Sequence, residues 1–94
     1  MRIADHPMSE AVRIALGVAH RGFRGRIAAI EVPAQGAGLT AAELERRLVE
    51  LGFTEGAEVE ILHEGLFGRD PIAVRVDGAT VAIRRREAMA ILVS

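Results

Sequence analysis

The feature that most constrains the fold is a helix whose start and end are both marked in the sequence, within residues 39–56. Thr40 has the side chain of a helix N-cap residue, because its hydroxyl can accept a hydrogen bond from a backbone N–H of the first turn. Glu43 lies three residues later and can return a bond to the N–H of Thr40, which completes a capping box. Leu39 and Leu44 occupy the positions of a hydrophobic staple. The sequence therefore predicts a helix that begins after Thr40.

The end of this helix is marked as clearly as its start. Gly52 follows Leu51 at the position where a helix commonly takes a left-handed residue, and glycine adopts that conformation without strain. Phe53 and Leu48 are spaced as the apolar pair that closes a Schellman motif. Leu44, Leu48 and Leu51 recur at i, i+4 and i+7, which is the apolar stripe of a helix that packs on a core.

Composition indicates one small globular domain and excludes several classes of site. The chain has 94 residues, a net charge of -1 and 50% hydrophobic residues, and a nucleic-acid-binding protein usually carries a basic face instead. It has no cysteine, which excludes disulfides, thiolate metal ligands and thiol nucleophiles. It also has no lysine, so a phosphate-binding loop lysine and a Schiff-base lysine are both excluded. No nucleophile, base and orienting group stand together in the sequence, and we therefore expect no enzyme.

Apolar alternation predicts five short strands around this helix, at residues 26–32, 57–62, 72–76, 80–84 and 90–93. Ile27 and Ile30 are out of phase with strict alternation, so the first strand should bend or bulge. Asp77 and Gly78 predict a type I′ hairpin turn. Residues 63–71 are expected to form a loop and residues 85–89 one helical turn. Five short strands close best as a small barrel, with the helix on one flank.

The N-terminal segment is the least regular part of the chain. Residues 1–17 are expected to be an extension, with a short helical turn over residues 12–16 that Gly17 ends. Its apolar stretch is interrupted by charges, and we therefore expect no signal peptide. No stretch of the chain reaches the roughly 20 apolar residues of a membrane-spanning helix.

The order of motifs from residue 18 to 94 resembles the FeoA family, small cytosolic accessory proteins of bacterial ferrous-iron uptake. A Gly-x-x-Gly-x-Ile segment at 22–27 precedes Leu-x-Arg-Arg-Leu-x-x-Leu-Gly at 44–52 and Gly-x-x-Val-x-Ile at 56–61. Pro-Ile-x-Val-x-Val-x-Gly at 71–78, Val-Ala-Ile-Arg-Arg at 81–85 and Ile-Leu-Val at 91–93 follow.

The resemblance implies a fold and a function. The fold would be mainly β, a small five-stranded SH3-like barrel with one inserted α-helix, in a domain over residues 18–94. The protein would be a non-enzymatic partner of the membrane ferrous-iron permease that carries a GTPase domain. It would be cytoplasmic and peripheral to the inner membrane through that partner. Similar domains occur at the C-terminus of metal-dependent repressors, but this chain lacks their helix-turn-helix region, so we expect no repressor. The charge balance and the lack of a long apolar run predict neither nucleic-acid binding nor insertion into the membrane.

Metal binding is a weaker prediction. His63 and Glu64 are adjacent donors that iron or zinc can use, but neighbours on a strand point to opposite faces, so both reach one ion only from a loop. The histidines His6, His20 and His63 are scattered. We therefore predict that no cofactor is required and that any Fe²⁺ or Zn²⁺ is bound weakly. A site shared between two protomers is favoured over one within a chain, and solvated side chains without metal are favoured over both.

Two groups of residues are candidates for partner contact. Leu66 and Phe67 lie between two glycines in the loop predicted over residues 63–71. They form either an exposed apolar contact or a plug that folds back over the barrel end. Arg84, Arg85 and Arg86 form the densest run of charge. This run could dock an acidic surface or act near a nucleotide phosphate, but a solvated strand end is favoured over both.

Three functional classes remain open from the sequence. The leading one is the accessory module of ferrous-iron transport. The second is a free-standing transition-metal-binding or metal-sensing module, which could be dimeric. The third is a generic dimerising module.

Overall fold

A computed structural model describes residues 12–32 and 40–94 of the chain. Its strands are β1 Ile14–Ala15, β2 Arg24–Ile30, β3 Glu58–Phe67, β4 Asp70–Val76, β5 Ala79–Ile83 and β6 Ile91–Val93. Its helices are α1 Ala41–Glu50 and α2 Arg85–Ala88, and a 3₁₀ turn covers Leu16–Val18. Leu39 and His6 lie outside the described residues, as do residues 1–11 of the expected extension.

The strands form one antiparallel sheet in the order β1-β6-β2-β3-β4-β5. β2 belongs to both halves of this sheet: Arg24 pairs with Glu60 of β3, whereas Ile27 pairs with Val93 of β6. The register shifts between Ile27 and Ala29, which confirms the predicted irregularity of this strand. The mainly β fold with one inserted helix is confirmed, with six strands instead of five.

The sixth strand corrects the prediction for the N-terminal segment. Residues 12–16 do not form a helical turn, because Ile14 and Ala15 pair with Val93 and Leu92 of β6. The helical geometry begins only at Leu16, which is fully buried. A two-residue strand has no alternation to detect, so its position depends on the pairing with β6.

The helix α1 has both of the end structures that its sequence predicts. The Glu43 N–H donates to the Thr40 hydroxyl and the Thr40 N–H donates to the Glu43 carboxylate, each at 3.1 Å. At the other end the Phe53 N–H donates to the Leu48 carbonyl at 3.0 Å, as in a Schellman motif. Gly52 has φ of 107°, as predicted. Capped in this way, α1 turns Leu44 and Leu48 into the core.

The hydrophobic core lies between the sheet and the two helices. Among residues 12–32 and 40–94, no polar or charged side chain belongs to it. Its buried members are Leu16, Ala19, Ile27, Leu44, Leu48, Phe53, Ala57, Val59, Ile61, Ile72, Val74, Val76, Ile83, Ala88, Ala90, Ile91 and Val93.

The helices are also connected at the surface. Arg47 Nη1 on α1 lies 3.7 Å from Glu87 Oε2 on α2. The first turn of α2 therefore sits between α1 and the hairpin formed by β3 and β4, which carries the candidate site.

Candidate functional site

The segment over residues 63–71 is a β-hairpin, so the prediction of a loop is wrong. β3 runs on to Phe67, which pairs with Asp70 of β4. The two residues between them, Gly68 and Arg69, have φ of 70° and 61°, and positive values at both positions are typical of a type I′ turn. The register shifts twice along β3, between Ile61 and His63 and again between Glu64 and Phe67. These irregularities break the alternation from which a strand is predicted.

The two apolar residues at the end of this hairpin are exposed. Leu66 is 94% and Phe67 88% accessible to solvent. The two side chains therefore do not fold back as a plug over the barrel end, and both are exposed to solvent. We call Leu66 and Phe67 the hairpin tip.

The three consecutive arginines have different environments. Arg84 and Arg86 are exposed, whereas the side chain of Arg85 is only 17% accessible. The Arg85 guanidinium donates to the Arg69 carbonyl through Nε at 2.8 Å and to the Glu64 carboxylate through Nη2 at 2.7 Å. Arg85 therefore has partners within the chain, whereas Arg84 and Arg86 form no ion pair with any other residue in the ranges 12–32 and 40–94.

Arg85 also reaches the segment that follows β1. Its Nη1 donates to the carbonyls of Gly17 and Ala19, at 3.1 and 2.6 Å. Its backbone N–H donates to the Asp70 carboxylate at 2.9 Å, at the start of α2. One side chain thus connects the hairpin, the 3₁₀ turn and α2.

Glu64 is the acidic partner in this cluster. Partial burial raises the pKa of its carboxyl, but hydrogen bonds from the His20 side chain and the Arg21 backbone lower it by more, with help from the charges of Arg69 and Arg85. The net pKa of Glu64 lies below its ordinary value of 4.5. The carboxylate is therefore ionised at neutral pH and holds Arg85 as an ion pair.

The structure does not assemble the metal donors proposed from the sequence. His63 is exposed on β3, and Glu64 turns instead toward Arg85 and toward His20, whose Nδ1 lies 3.4 Å from Oε2. Within the described parts of the chain, no group of three or more His, Asp or Glu side chains is placed to hold a metal ion.

A shallow groove of about 440 Å³ lies on the outer face of β2, β3 and β4. Its charges are largely paired across the strands: Arg26 Nη2 lies 2.7 Å from Glu58 Oε2, and Glu60 Oε1 lies 3.7 Å from Arg24 Nε. Such mutual pairing leaves little net charge to attract a ligand. The groove is a weaker candidate site than the hairpin tip.

Sequence reasoning missed the role of Arg85 and every backbone group that it binds. Gly17 offered the nearest signal: a Cβ there would collide with the Arg85 carbonyl and lie 2.7 Å from Met89 Sδ. In the sequence alone, that glycine is indistinguishable from one that ends a turn.

In residues 12–32 and 40–94, the helices are too short or too polar to cross a membrane.

Comparison with known proteins shows one family. The model of the FeoA domain matches residues 10–94. A FeoA-like protein from Clostridium acetobutylicum is 28% identical, with a TM-score of 0.71 over 87% of this chain and 85% of the other. A comparison with curated proteins gives no match.

Two further solved structures are similar. FeoA from Stenotrophomonas maltophilia, solved with zinc and described as an SH3 domain protein, is 28% identical, with a TM-score of 0.67 over 84% of this chain and 87% of the other. A manganese-dependent transcriptional repressor is 25% identical, with a TM-score of 0.69 over 86% of this chain but 36% of the repressor. The predicted SH3-like fold is thereby confirmed.

Proposed function

This chain belongs to the FeoA family, and from that premise we propose that it is a non-enzymatic accessory protein of bacterial ferrous-iron uptake. It acts by contact with the cytoplasmic side of the GTPase-bearing iron permease, and it is held at the inner membrane through that partner. The similar protein from Stenotrophomonas maltophilia is described as a candidate activating factor of bacterial ferrous-iron transport, which supports this role. Nucleic acid is not a partner in this proposal.

The exposure of the hairpin tip is the observation that carries the proposed contact. Leu66 and Phe67 together place two large apolar side chains in water. A few apolar anchors that become fully buried supply most of the binding energy of an interface. The tip is therefore the anchor, and it inserts into an apolar cleft of the permease.

Arg84 and Arg86 supply the electrostatic part of the contact. Both are exposed at the start of α2, and within the described residues neither forms an ion pair. Charges at the edge of an interface mainly speed association and make it depend on salt. Arg85 contributes indirectly, because its guanidinium is held within the chain.

The test is a binding measurement with the permease purified in detergent, together with ferrous-iron uptake by cells. Leu66→Ala with Phe67→Ala should weaken binding mainly through faster dissociation and leave the salt dependence intact. Arg84→Gln with Arg86→Gln should slow association and flatten the salt dependence. Val49→Ala, on the exposed face of α1, is the matched apolar control.

The result that contradicts the proposal is equally definite. If the parent protein does not bind the permease, or if both double variants bind and support uptake like the parent, then this surface is not the contact.

A further inference from the structure

The hairpin tip is not the only exposed apolar group near Arg85. Val18 lies between Gly17 and Ala19, whose carbonyls both accept from Arg85 Nη1. Val18 is 53% exposed to solvent. The same guanidinium donates through Nε to the carbonyl of Arg69, in the turn directly after the tip. The segment around Val18 and the hairpin turn are thus both bound by one guanidinium.

Met89 lies beside Gly17, the residue that precedes Val18. The Met89 side chain lies against the backbone of Gly17, since a Cβ built on that glycine would be 2.7 Å from its sulfur. Met89 is nevertheless 44% exposed. Methionine adapts its shape to irregular apolar surfaces, which suits it to the edge of an interface.

The charged groups around these residues are unequally engaged. Glu64 is paired with Arg85, and the Asp70 carboxylate accepts the Arg85 N–H. Arg69, Arg84 and Arg86 have no ion pair with any residue in the described ranges. The rim of the region is therefore positively charged toward solvent.

We propose that the docking surface extends from the hairpin tip across Arg85 to Val18 and Met89, and that Arg85 is the positioning residue that keeps these parts together. This inference rests on the proposed function. The occupant that fits is a protein surface with an apolar cleft and a rim of carboxylates, on the cytoplasmic side of the permease. The cleft takes the tip and Val18, and the carboxylates face the three arginines of the rim.

A matched pair of valine variants tests the extent of the surface. Val18→Asp and Val49→Asp place the same charge at positions of similar exposure, 53% and 45%. Against detergent-purified permease, Val18→Asp should weaken binding at least about fivefold, because it buries an unpaired charge in the interface. Val49→Asp should bind like the parent. Equal affinity of both variants and the parent would overturn the extension to Val18.

A second pair tests Arg85 as the positioning residue. Arg85→Gln should weaken binding by about tenfold, and it should raise the fast backbone motion of the amides at residues 65–69, measured by NMR relaxation. The Asp77–Gly78 turn serves as the internal reference and should keep its motion. Arg46→Gln, an exposed arginine on α1, is the matched control for lost charge. All variants are compared at a temperature below their melting midpoints. If Arg85→Gln does not fold, Arg85→Lys is used in its place.

The outcomes separate this inference from the proposed function. No binding of the parent to the permease refutes both. A second outcome refutes only the inference: the parent binds and the binding depends on Leu66 and Phe67, but Val18→Asp and Arg85→Gln change neither the affinity nor the motion of the hairpin.

A last experiment uses vesicles of phosphatidylglycerol and phosphatidylethanolamine without permease. Binding to them with the same dependence on Val18 and Phe67 would identify a lipid surface as the occupant and overturn the protein cleft.

Discussion

The side chains of Arg85 and Glu64 meet at 2.7 Å, between Nη2 and Oε2, with less than a fifth of either side chain accessible to solvent. They are separated by 21 residues of the chain, and their pairing fixes the base of the β3–β4 hairpin against α2. Ion pairs on a protein surface contribute little to stability, but a shielded pair with further hydrogen bonds is costly to break from one side. This difference sets the first prediction.

Replacing Arg85 with Leu should lower the free energy of unfolding, because Glu64 and the carbonyls of Arg69 and Ala19 lose a charged donor. Urea denaturation measures the effect, with an unchanged m-value as the sign that the compactness of the two states is preserved. Arg86→Leu, in the exposed neighbour, should change stability by less than about 0.5 kcal/mol. Equal stability of the two variants would show that the Arg85 cluster contributes nothing.

The second prediction concerns acid stability. The pKa of Glu64 is lowered in the folded protein from 4.5, so its ionised form stabilises the fold at pH values above 4.5. That contribution is lost as the pH falls through the lower pKa of the folded state. The Glu64→Gln variant should therefore be less stable than the parent at pH 7, and the difference should shrink as the pH falls below 4.5. Thermal melts across this range check it, and a constant difference at every pH would contradict it.

The third prediction concerns the end of α1. Gly52 has φ of 107°, which a β-branched residue rarely adopts. Gly52→Val should therefore lower the free energy of unfolding by more than about 1 kcal/mol. Gly52→Asn is the matched control and should cost less, because asparagine tolerates the left-handed region. A thermal melt of the valine variant that coincides with that of the parent would show that α1 does not need this conformation.

The fourth prediction concerns metal. Glu64 is engaged by Arg85, and His63 is exposed on the neighbouring position of β3. We expect no tight site for one metal ion per chain, and at most weak binding of Fe²⁺ or Zn²⁺. Anaerobic calorimetry checks this with each ion in turn. Sub-micromolar binding of one ferrous ion per monomer would favour the metal-sensing alternative, and sedimentation with and without metal would then test for a dimer.

Much of the fold could be predicted because its signals are local. The caps of α1, the Asp77–Gly78 turn and the apolar alternation of β4 each depend on residues within a few positions of one another. The β3–β4 hairpin could not be predicted in the same way. Its two register shifts place residues out of alternation, and only the pairing with β4 reveals that the strand continues to Phe67.

The candidate site divides along the same line. The sequence by itself determined that Leu66 and Phe67 lie between glycines and that three arginines are consecutive. It could not determine whether the apolar pair is exposed, because a plug over the barrel end has the same sequence. It also could not distinguish Arg85 from its neighbours.

Only the tertiary structure decided both points, for a physical reason. Burial and hydrogen-bond satisfaction depend on groups that are distant along the chain. The donors of Arg85 reach carbonyls at Gly17 and Ala19, 68 and 66 residues away. Local propensity determines which segments become helices and turns. The assembly of the sheet determines that, of the three consecutive arginines, Arg85 is the one whose guanidinium is hydrogen-bonded within the chain.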